Sequence, residues 1–155
     1  MRDKQRGFSL IELLIVVAII LIIAAIAIPN LLRSRMASNE ASAVAALRTM
    51  NTASVSYLLS YQSYPPSLAS LGPAATPSST AADLVDTLLG QDPASKSGYL
   101  FVYTATGSPS VSSYTIVATP ITQGVTGQRG FFTNQSGIIR ADISGSATSA
   151  STPLS

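Results

Sequence analysis

Residues Arg6 to Pro29 read RGFSLIELLIVVAIILIIAAIAIP, an apolar stretch in which Glu12 is the one charged side chain after the arginine. Continued to Leu32, the run reaches the length of about 20 residues that a helix needs to cross roughly 30 Å of hydrocarbon. An acid near the membrane centre costs about 2.5–3.5 kcal/mol on insertion scales, so an acid in such a segment indicates a functional group that needs a partner. The stretch therefore predicts a membrane-spanning helix with Glu12 as its first candidate functional residue.

Composition removes most catalytic chemistry from consideration. The chain has 155 residues, of which 10% are charged, and it contains neither cysteine nor histidine. Disulfides, thiol nucleophiles, Cys or His metal ligands and a histidine general base are therefore excluded. The seven acids are spread thinly along the chain, and no pair has a spacing that requires a shared site. We predict that the protein is not an enzyme and needs no cofactor or metal.

The formal charge of +2 depends on the first seven residues. Without Met1 to Gly7, the nine basic residues lose three and the seven acidic residues lose one, which leaves six of each sign. A net side-chain charge of zero argues against a protein that coats nucleic acid, and no specific nucleic-acid partner is predicted.

The N-terminal segment has two ordinary interpretations, a secretory signal and a plain membrane anchor. A secretory signal would use the basic start, the apolar run and Ala25-Ile26-Ala27 as a cleavage site, but Glu12 interrupts the apolar run and Pro29 follows the site closely. A plain membrane anchor would let Glu12 complement the positive end of the helix dipole, an effect of about 0.3–1 kcal/mol. The membrane-anchor interpretation explains why Glu12 is tolerated but assigns it no function.

Residues Gly7 to Val16, GFSLIELLIV, resemble the N-terminal signature of type IV prepilins and their pseudopilin relatives. The resemblance implies that a prepilin peptidase and N-methyltransferase cleaves between Gly7 and Phe8 and methylates the new amine of Phe8. It implies that Glu12, the fifth residue of the mature chain, acts in filament assembly. It further implies an inner-membrane pilus assembly machinery and copies of this chain as partners, with membrane lipid around the apolar segment before assembly.

Cleavage would create a compensating cation for Glu12. The amine of Phe8 lies about 6 Å along the helix from Glu12 at 1.5 Å per residue, and in a staggered bundle the amine of a neighbouring copy can approach instead. Two unit charges about 4 Å apart attract by roughly 4 kcal/mol at an effective dielectric near 20, less the desolvation of both groups. We therefore expect this contact to set the axial register between copies, which non-directional aliphatic contacts alone would leave free to slide.

Four more residues are candidates for filament assembly. Pro29 removes a hydrogen bond to the carbonyl of Ala25 and should kink or loosen the helix, although it can equally mark the membrane exit. Arg33, Arg35 and Glu40 are candidate charge partners between subunits, with solvated or lipid-headgroup contacts as the alternative.

An amphipathic pattern follows the apolar run and predicts that the same helix continues to about Tyr61, ending before Tyr64-Pro65-Pro66. The positions expected to face a core are Val44, Leu47, Met50, Val55, Leu58 and Tyr61. Tyr57, Tyr61 and Tyr64 fall at helical spacing, and packing between helix and sheet explains them better than electron transfer.

The remaining sequence predicts an α+β fold, in which the long N-terminal helix packs against a small antiparallel sheet. Capping-box spacing at Thr80 to Asp83, with Gly90 as terminator, predicts one short helix. Three later stretches are predicted to form strands, the last as a hairpin that turns near Asn134 to Gly137: Tyr99 to Ala105, Tyr114 to Thr119 and Gly130 to Arg140. The predicted segments are a cleaved leader (1–7), a transmembrane and filament-core helix (8–32), its amphipathic half (33–64), a connecting loop with a short helix (65–97), an antiparallel sheet (98–143) and a flexible tail (144–155).

These observations predict a structural subunit that polymerises into a type IV pilus-like surface filament, anchored in the inner membrane before assembly and extracellular afterwards. The alternative is a major pseudopilin of a type II secretion system, which resembles this chain through the same N-terminus. The loop Gln91 to Tyr99 keeps only the Asp-Pro of the pseudopilin calcium loop, and the chain has no tryptophan, which favours the pilin. A monomeric membrane-anchored binding domain is a third possibility of a different class.

Overall fold

The structure is a computed structural model that describes residues 8–154. Its one long helix, α1 (Leu10–Tyr61), and an antiparallel six-stranded sheet confirm the predicted α+β fold. The chain divides into two compact units, Met1–Ser34 and Arg35–Ser155, and α1 contributes residues to both.

The continuous helix was predicted over the range that the structure shows. Its helical assignment continues through Pro29, so a kink or unwinding at that residue stays a prediction. The helix ends where Gln62 adopts the left-handed conformation (φ 60°) while its N–H still donates to the carbonyl of Leu58 at 2.8 Å. The stop therefore comes slightly before the two prolines that were expected to impose it.

The face of α1 that packs in the second unit is richer in small residues than the pattern predicted. Leu47 and Met50 are fully buried as expected, whereas Val55 is 46% exposed and that prediction is wrong. Alanines supply much of the buried face instead, with Ala43, Ala46 and Ala53 each no more than 5% exposed. The helix residues in the core cluster are Ala43, Ala46, Leu47, Met50, Ala53 and Tyr57.

The sheet is a simple meander in which each strand pairs with the next one in sequence. Its two longest strands alternate inward and outward side chains, with Tyr99, Phe101 and Tyr103 buried on one and Val102 43% exposed between them. Composition predicted both strands, and the alternation of buried and exposed side chains is the pattern of a strand with one face against a core. The strands are β1 (Ala94–Lys96), β2 (Tyr99–Thr106), β3 (Ser113–Pro120), β4 (Gly130–Asn134), β5 (Arg140–Asp142) and β6 (Thr152–Pro153).

Tyrosine rings fill much of the space beneath the sheet. Tyr64 packs edge-on against Tyr114 with ring centroids 5.0 Å apart, and Tyr103 stacks on Tyr114 at 5.4 Å. Tyr57 is buried on the helix and donates a hydrogen bond to the carbonyl of Ser79 at 2.6 Å. The packing interpretation of the tyrosine stripe is therefore confirmed.

The short helix predicted from Thr80 to Gly90 is wrong. Asp83 has a left-handed φ of 54°, which breaks any helix started at Thr80, and its N–H donates to the carbonyl of Gly72 at 2.9 Å. A single turn forms later, where the Asp86 carboxylate accepts the N–H of Leu89 and the carbonyl of Asp86 accepts the N–H of Gly90. The only short helical element before the sheet in the described chain is a 3₁₀ helix over Leu68–Leu71.

The sheet extends beyond both of its predicted boundaries. Strand β1 lies inside the segment taken as a connecting loop, and a two-residue turn joins it to β2, with Ser97 and Gly98 at positive φ. At the other end, β6 and the bond from the N–H of Leu154 to the carbonyl of Ile139 tie down the tail expected to be flexible. Pairing of the backbone, rather than burial of many side chains, orders this part of the chain.

Candidate functional site

The first turn of α1 holds Glu12 through a local contact. The Glu12 Oε2 atom accepts the backbone N–H of Ser9 at 2.9 Å, and the N–H of Leu13 donates to the carbonyl of Ser9 at 3.3 Å. Ser9 precedes the helix and Glu12 is its third residue, so the pair has the S-x-x-E spacing in which a carboxylate satisfies an N–H at a helix start. Ser9 was not among the predicted site residues, although its spacing to Glu12 is visible in the sequence.

The predicted cleavage point lies at the edge of the described chain. Gly7 is outside the described residues, and Phe8 is the first residue inside them, with 81% of its surface exposed. The cleavage and methylation assigned to these two residues therefore remain predictions.

The apolar half of α1 has almost no side-chain burial in this chain. An 18-residue window near the N-terminus has a mean hydropathy of 3.3 and none of its residues is buried. Exposed fractions include 60% for Leu14, 64% for Ile22 and 65% for Ile28. By length and composition this helix is a candidate transmembrane span, and its aliphatic surface is of the kind that lipid or other apolar helices cover.

Pro29, Arg33 and Arg35 follow on the same helix and are all exposed. Within residues 8–154 neither arginine forms an ion pair. Their guanidinium groups are therefore available to lipid headgroups or to another subunit, as the sequence suggested, and their role in assembly is still a prediction.

Glu40, by contrast, is committed to contacts inside the second unit. Its carboxylate accepts the backbone N–H groups of Gln128 at 2.9 Å and of Arg129 at 3.1 Å, and it pairs with Arg129 Nε at 2.8 Å. Burial of the carboxyl group acts to raise the pKa of Glu40, but these hydrogen bonds and the Arg129 charge outweigh it and lower the pKa below its usual value. The partner is 89 residues away in sequence, so no local pattern could have identified it.

Neighbouring contacts fix the same loop on α1. The Asn39 side chain donates to the carbonyl of Thr126 at 2.8 Å, and the Tyr99 hydroxyl donates to the carbonyl of Arg129 at 2.7 Å. Asn39 and Glu40 therefore hold the connection between β3 and β4 against the helix, and Tyr99 holds it against β2. The structure therefore gives Glu40 a folding role.

Comparison with known proteins identifies the N-terminal segment. Residues 2–28 match the family described as the prokaryotic N-terminal methylation motif. The chain is 50% identical over 54 residues to the type IV major pilin protein PilA of Myxococcus xanthus, a match that covers 35% of this chain and 24% of the relative. It is 42% identical over 85 residues to the type IV wide pilus major component PilA4 of Thermus thermophilus, covering 53% of this chain and 65% of the relative.

A third relative comes from a secretion system. The type II secretion system core protein G of Escherichia coli is 35% identical over 63 residues, which cover 41% of this chain and 43% of that protein. The chain thus spans less than two thirds of the length of each of these relatives. No solved structure matches the chain. The predicted resemblance to type IV pilins and pseudopilins is confirmed, and it rests on the N-terminal segment.

Proposed function

We propose that this chain, whose N-terminal segment is similar to those of type IV pilins and a pseudopilin, is a structural subunit that polymerises into a type IV pilus-like surface filament. Before assembly the apolar half of α1 anchors the precursor in the inner membrane. Removal of the leader frees the subunit for polymerisation, and the assembled filament lies outside the cell.

The observation that supports this proposal most is the placement of Glu12 on an exposed aliphatic helix. The Ser9 N–H satisfies one carboxylate oxygen, but no cation within residues 8–154 pairs with the charge. An uncompensated acid in an apolar environment is costly, so a second molecule has to supply the positive charge. In the filament that cation is the N-terminal amine of Phe8 from a neighbouring copy.

Processing is the step that creates this cation. The prepilin peptidase cuts between Gly7 and Phe8 and methylates the amine of Phe8, which keeps its ability to carry a proton. The inner-membrane assembly machinery then moves the subunit from lipid into the filament, where the apolar halves of many helices cover one another. Any local unwinding of the helix during this step is placed at Pro29, where one backbone hydrogen bond is missing.

The arginines beyond the apolar run have a second role in this proposal. Arg33 and Arg35 contact lipid headgroups before assembly and acidic groups of other subunits afterwards. Glu40 contributes indirectly, because it holds Arg129 and the loop around it in place.

The N-terminus of protein sheared from the cell surface tests the proposal. We expect intact-mass and peptide spectra to show chains that begin at Phe8 and carry one methyl group on the α-amine. Chains that keep Gly7, or a protein that never leaves the membrane fraction as polymer, would contradict the proposal.

The secretion relative keeps a second candidate function open: a major pseudopilin that forms a short periplasmic filament. The two candidates predict the same N-terminal processing and different locations. Methylated protein recovered by shearing intact cells favours the surface pilus, whereas methylated protein confined to the envelope favours the pseudopilin.

A further inference from the structure

An open pocket of about 280 Å³ lies beside α1 in the second unit. Two of its lining residues are arginines: Arg48, which is exposed, and Arg129, whose Nε is used by Glu40 while its side chain is 44% exposed. One carboxylate against two guanidinium groups leaves the pocket with a net charge of +1. We call this pocket the cationic notch, and its lining residues are Ala37, Glu40, Ala41, Val44, Arg48, Arg129 and Leu154.

The cationic notch combines free positive charge with an aliphatic floor. Arg48 forms no ion pair within residues 8–154, and no hydrogen bond from the terminal nitrogens of Arg129 occurs there. Ala41, Val44 and Leu154 supply methyl groups beside the charges. The chemistry that fits such a surface is a carboxylate with an aliphatic side chain next to it.

The same chain carries a surface of that chemistry, which we call the acidic loop and define as residues 83–88. The Asp83 carboxylate is exposed and has no hydrogen bond or ion pair within the described chain. Leu84 and Leu88 beside it are 37% and 51% exposed. The left-handed φ of Asp83 is held by its N–H bond to Gly72, so the backbone that presents the carboxylate is fixed.

Two other exposed acids fit the cationic notch less well. The Asp142 carboxylate already accepts hydrogen bonds from the N–H of Ser144 and the hydroxyl of Ser151. Asp92 is followed by Pro93 and has no exposed leucine or isoleucine beside it. Among the described acids of the second unit, only the acidic loop joins a carboxylate that has no hydrogen bond or ion pair to exposed leucines.

The two surfaces lie on different sides of α1. The cationic notch uses helix positions 37, 40, 41, 44 and 48, whereas the acidic loop borders a cleft at positions 42, 45, 46 and 49. At 3.6 residues per turn, the centres of these two sets are separated by roughly a third of a turn around the axis. The two surfaces adjoin at Arg48, which lines an open pocket together with Leu84 of its own chain but forms no ion pair with Asp83 of that chain.

We infer that the cationic notch of one copy receives the acidic loop of the next copy. This inference rests on the proposed function, and it names a contact between the second units of successive subunits. The two surfaces are unlike, so the contact is heterologous, and a heterologous contact that does not close into a ring generates an open helical polymer. It places Asp83 against Arg48 and Arg129, and Leu84 against Ala41 and Val44.

Intermolecular disulfides test the contact in filaments of the full-length chain. The protein has no cysteine, so Ala41→Cys and Leu84→Cys can be introduced singly and the two variants co-expressed in one cell. Mild oxidation of sheared filaments should give a covalent dimer only when both variants are present. A dimer from either variant alone would indicate an isologous contact, and no dimer in intact filaments would show that these surfaces do not meet. Both results overturn the inference.

Charge exchange provides an independent readout. Arg48→Glu and Asp83→Lys should each lower the yield of sheared filament by about tenfold or more, because the repulsive contact repeats at every subunit, and the double variant should recover most of the loss. Asp92→Lys is the matched control and should keep the wild-type yield. Failure of the double variant to recover filaments, with both single variants folded by circular dichroism, would also overturn the inference. If the wild-type protein forms no filament at all, the proposed function is wrong. If it forms filaments but the variants behave otherwise than predicted, only the inferred contact is wrong.

Discussion

Removal of the Glu40 carboxylate should be the most damaging single change in the second unit outside its hydrophobic core. The residue is 8% exposed, and its side chain accepts two backbone N–H groups and the Arg129 Nε–H. Glu40→Ala leaves all three donors without their acceptor and frees the loop between β3 and β4 from the helix. The loss is therefore larger than that of an ordinary surface ion pair.

The expected size follows from the contacts. A hydrogen bond to a charged group contributes about 1.5–3 kcal/mol, but Arg129 is partly exposed and its released donors regain water, so the sum is well below additive. We expect Glu40→Ala to lower the free energy of unfolding by about 2–4 kcal/mol. For a unit of this size, that corresponds to a fall of roughly 10 °C in the melting temperature.

Near-ultraviolet circular dichroism of the detergent-solubilised chain can measure this change, because buried tyrosines report on the packing of the second unit. Glu40→Gln is the informative companion variant, since it keeps one acceptor oxygen and removes the charge. It should lose less than Glu40→Ala. Arg48→Ala removes an exposed arginine that has no ion pair in the described chain, and it should leave the melting temperature within about 2 °C of wild type.

The pH dependence supplies the refuting result. The pKa of Glu40 is lowered in the folded protein, so its contribution is present above the pKa of the unfolded chain and is lost as the pH falls through the folded value. The stability difference between wild type and Glu40→Gln should therefore shrink as the solution is acidified below about pH 4.5. A difference that is absent at neutral pH, or that grows on acidification, would refute the account of this ion pair.

Three further predictions concern the packing of the second unit. Asn51→Ala should lower the free energy of unfolding by about 2–3 kcal/mol, because the Asn51 side chain bonds to the buried hydroxyls of Thr133 at 2.9 Å and Tyr114 at 3.0 Å. Thr52→Ala, at an exposed position, is the control, and equal melting curves for the two variants would contradict the prediction. Gly127→Ala should lower the melting temperature by several degrees, since its new Cβ would overlap the Tyr99 hydroxyl, and a wild-type melt would show that the loop can move aside. Burial raises the pKa of Tyr114 to about 12. The free energy of unfolding should therefore decline as the pH rises from about 10 to about 12, in step with the absorbance of tyrosinate. Unfolding that begins well below pH 10 would contradict this assignment to Tyr114.

The elements with strong local signals were predictable from the sequence. The apolar run, the two long alternating strands and the turn from Asn134 to Gly137 all lie where their composition placed them. In that turn the Asn134 side chain accepts the N–H of Ser136, and Gly137 takes a positive φ, as turn residues of these types commonly do. Local propensity and tertiary structure agree at these places.

The failures have a common physical cause: the deciding contact was distant or made by the backbone. Strands β1 and β6 are two or three residues long and are held by pairing with their neighbours, so they leave no hydrophobic period to detect. The helix predicted near Thr80 gave way because the N–H groups of Ala82 to Val85 bond to carbonyls of residues 70–72 instead of to one another. Neither arrangement is encoded within a short window of sequence.

The candidate site also contains both kinds of feature: those visible in a short stretch of sequence and those that depend on distant contacts. The methylation motif and Glu12 were identified from ten consecutive residues, whereas the ion pair of Glu40 with Arg129 depends on the folded sheet. Ser9 is the one site residue whose role could have been found earlier, because its S-x-x-E spacing to Glu12 is local.

The most direct test of the central claim is the yield of sheared filament from cells that express Glu12→Gln. Glutamine keeps the side-chain length and an oxygen that can accept the Ser9 N–H, so this variant removes the charge and spares the helix start. If the carboxylate compensates the Phe8 amine of a neighbouring copy, the precursor should accumulate normally in the membrane while filament falls by about tenfold or more, the equivalent of about 1.4 kcal/mol per contact. Wild-type amounts of regular filament from Glu12→Gln cells would contradict the claim.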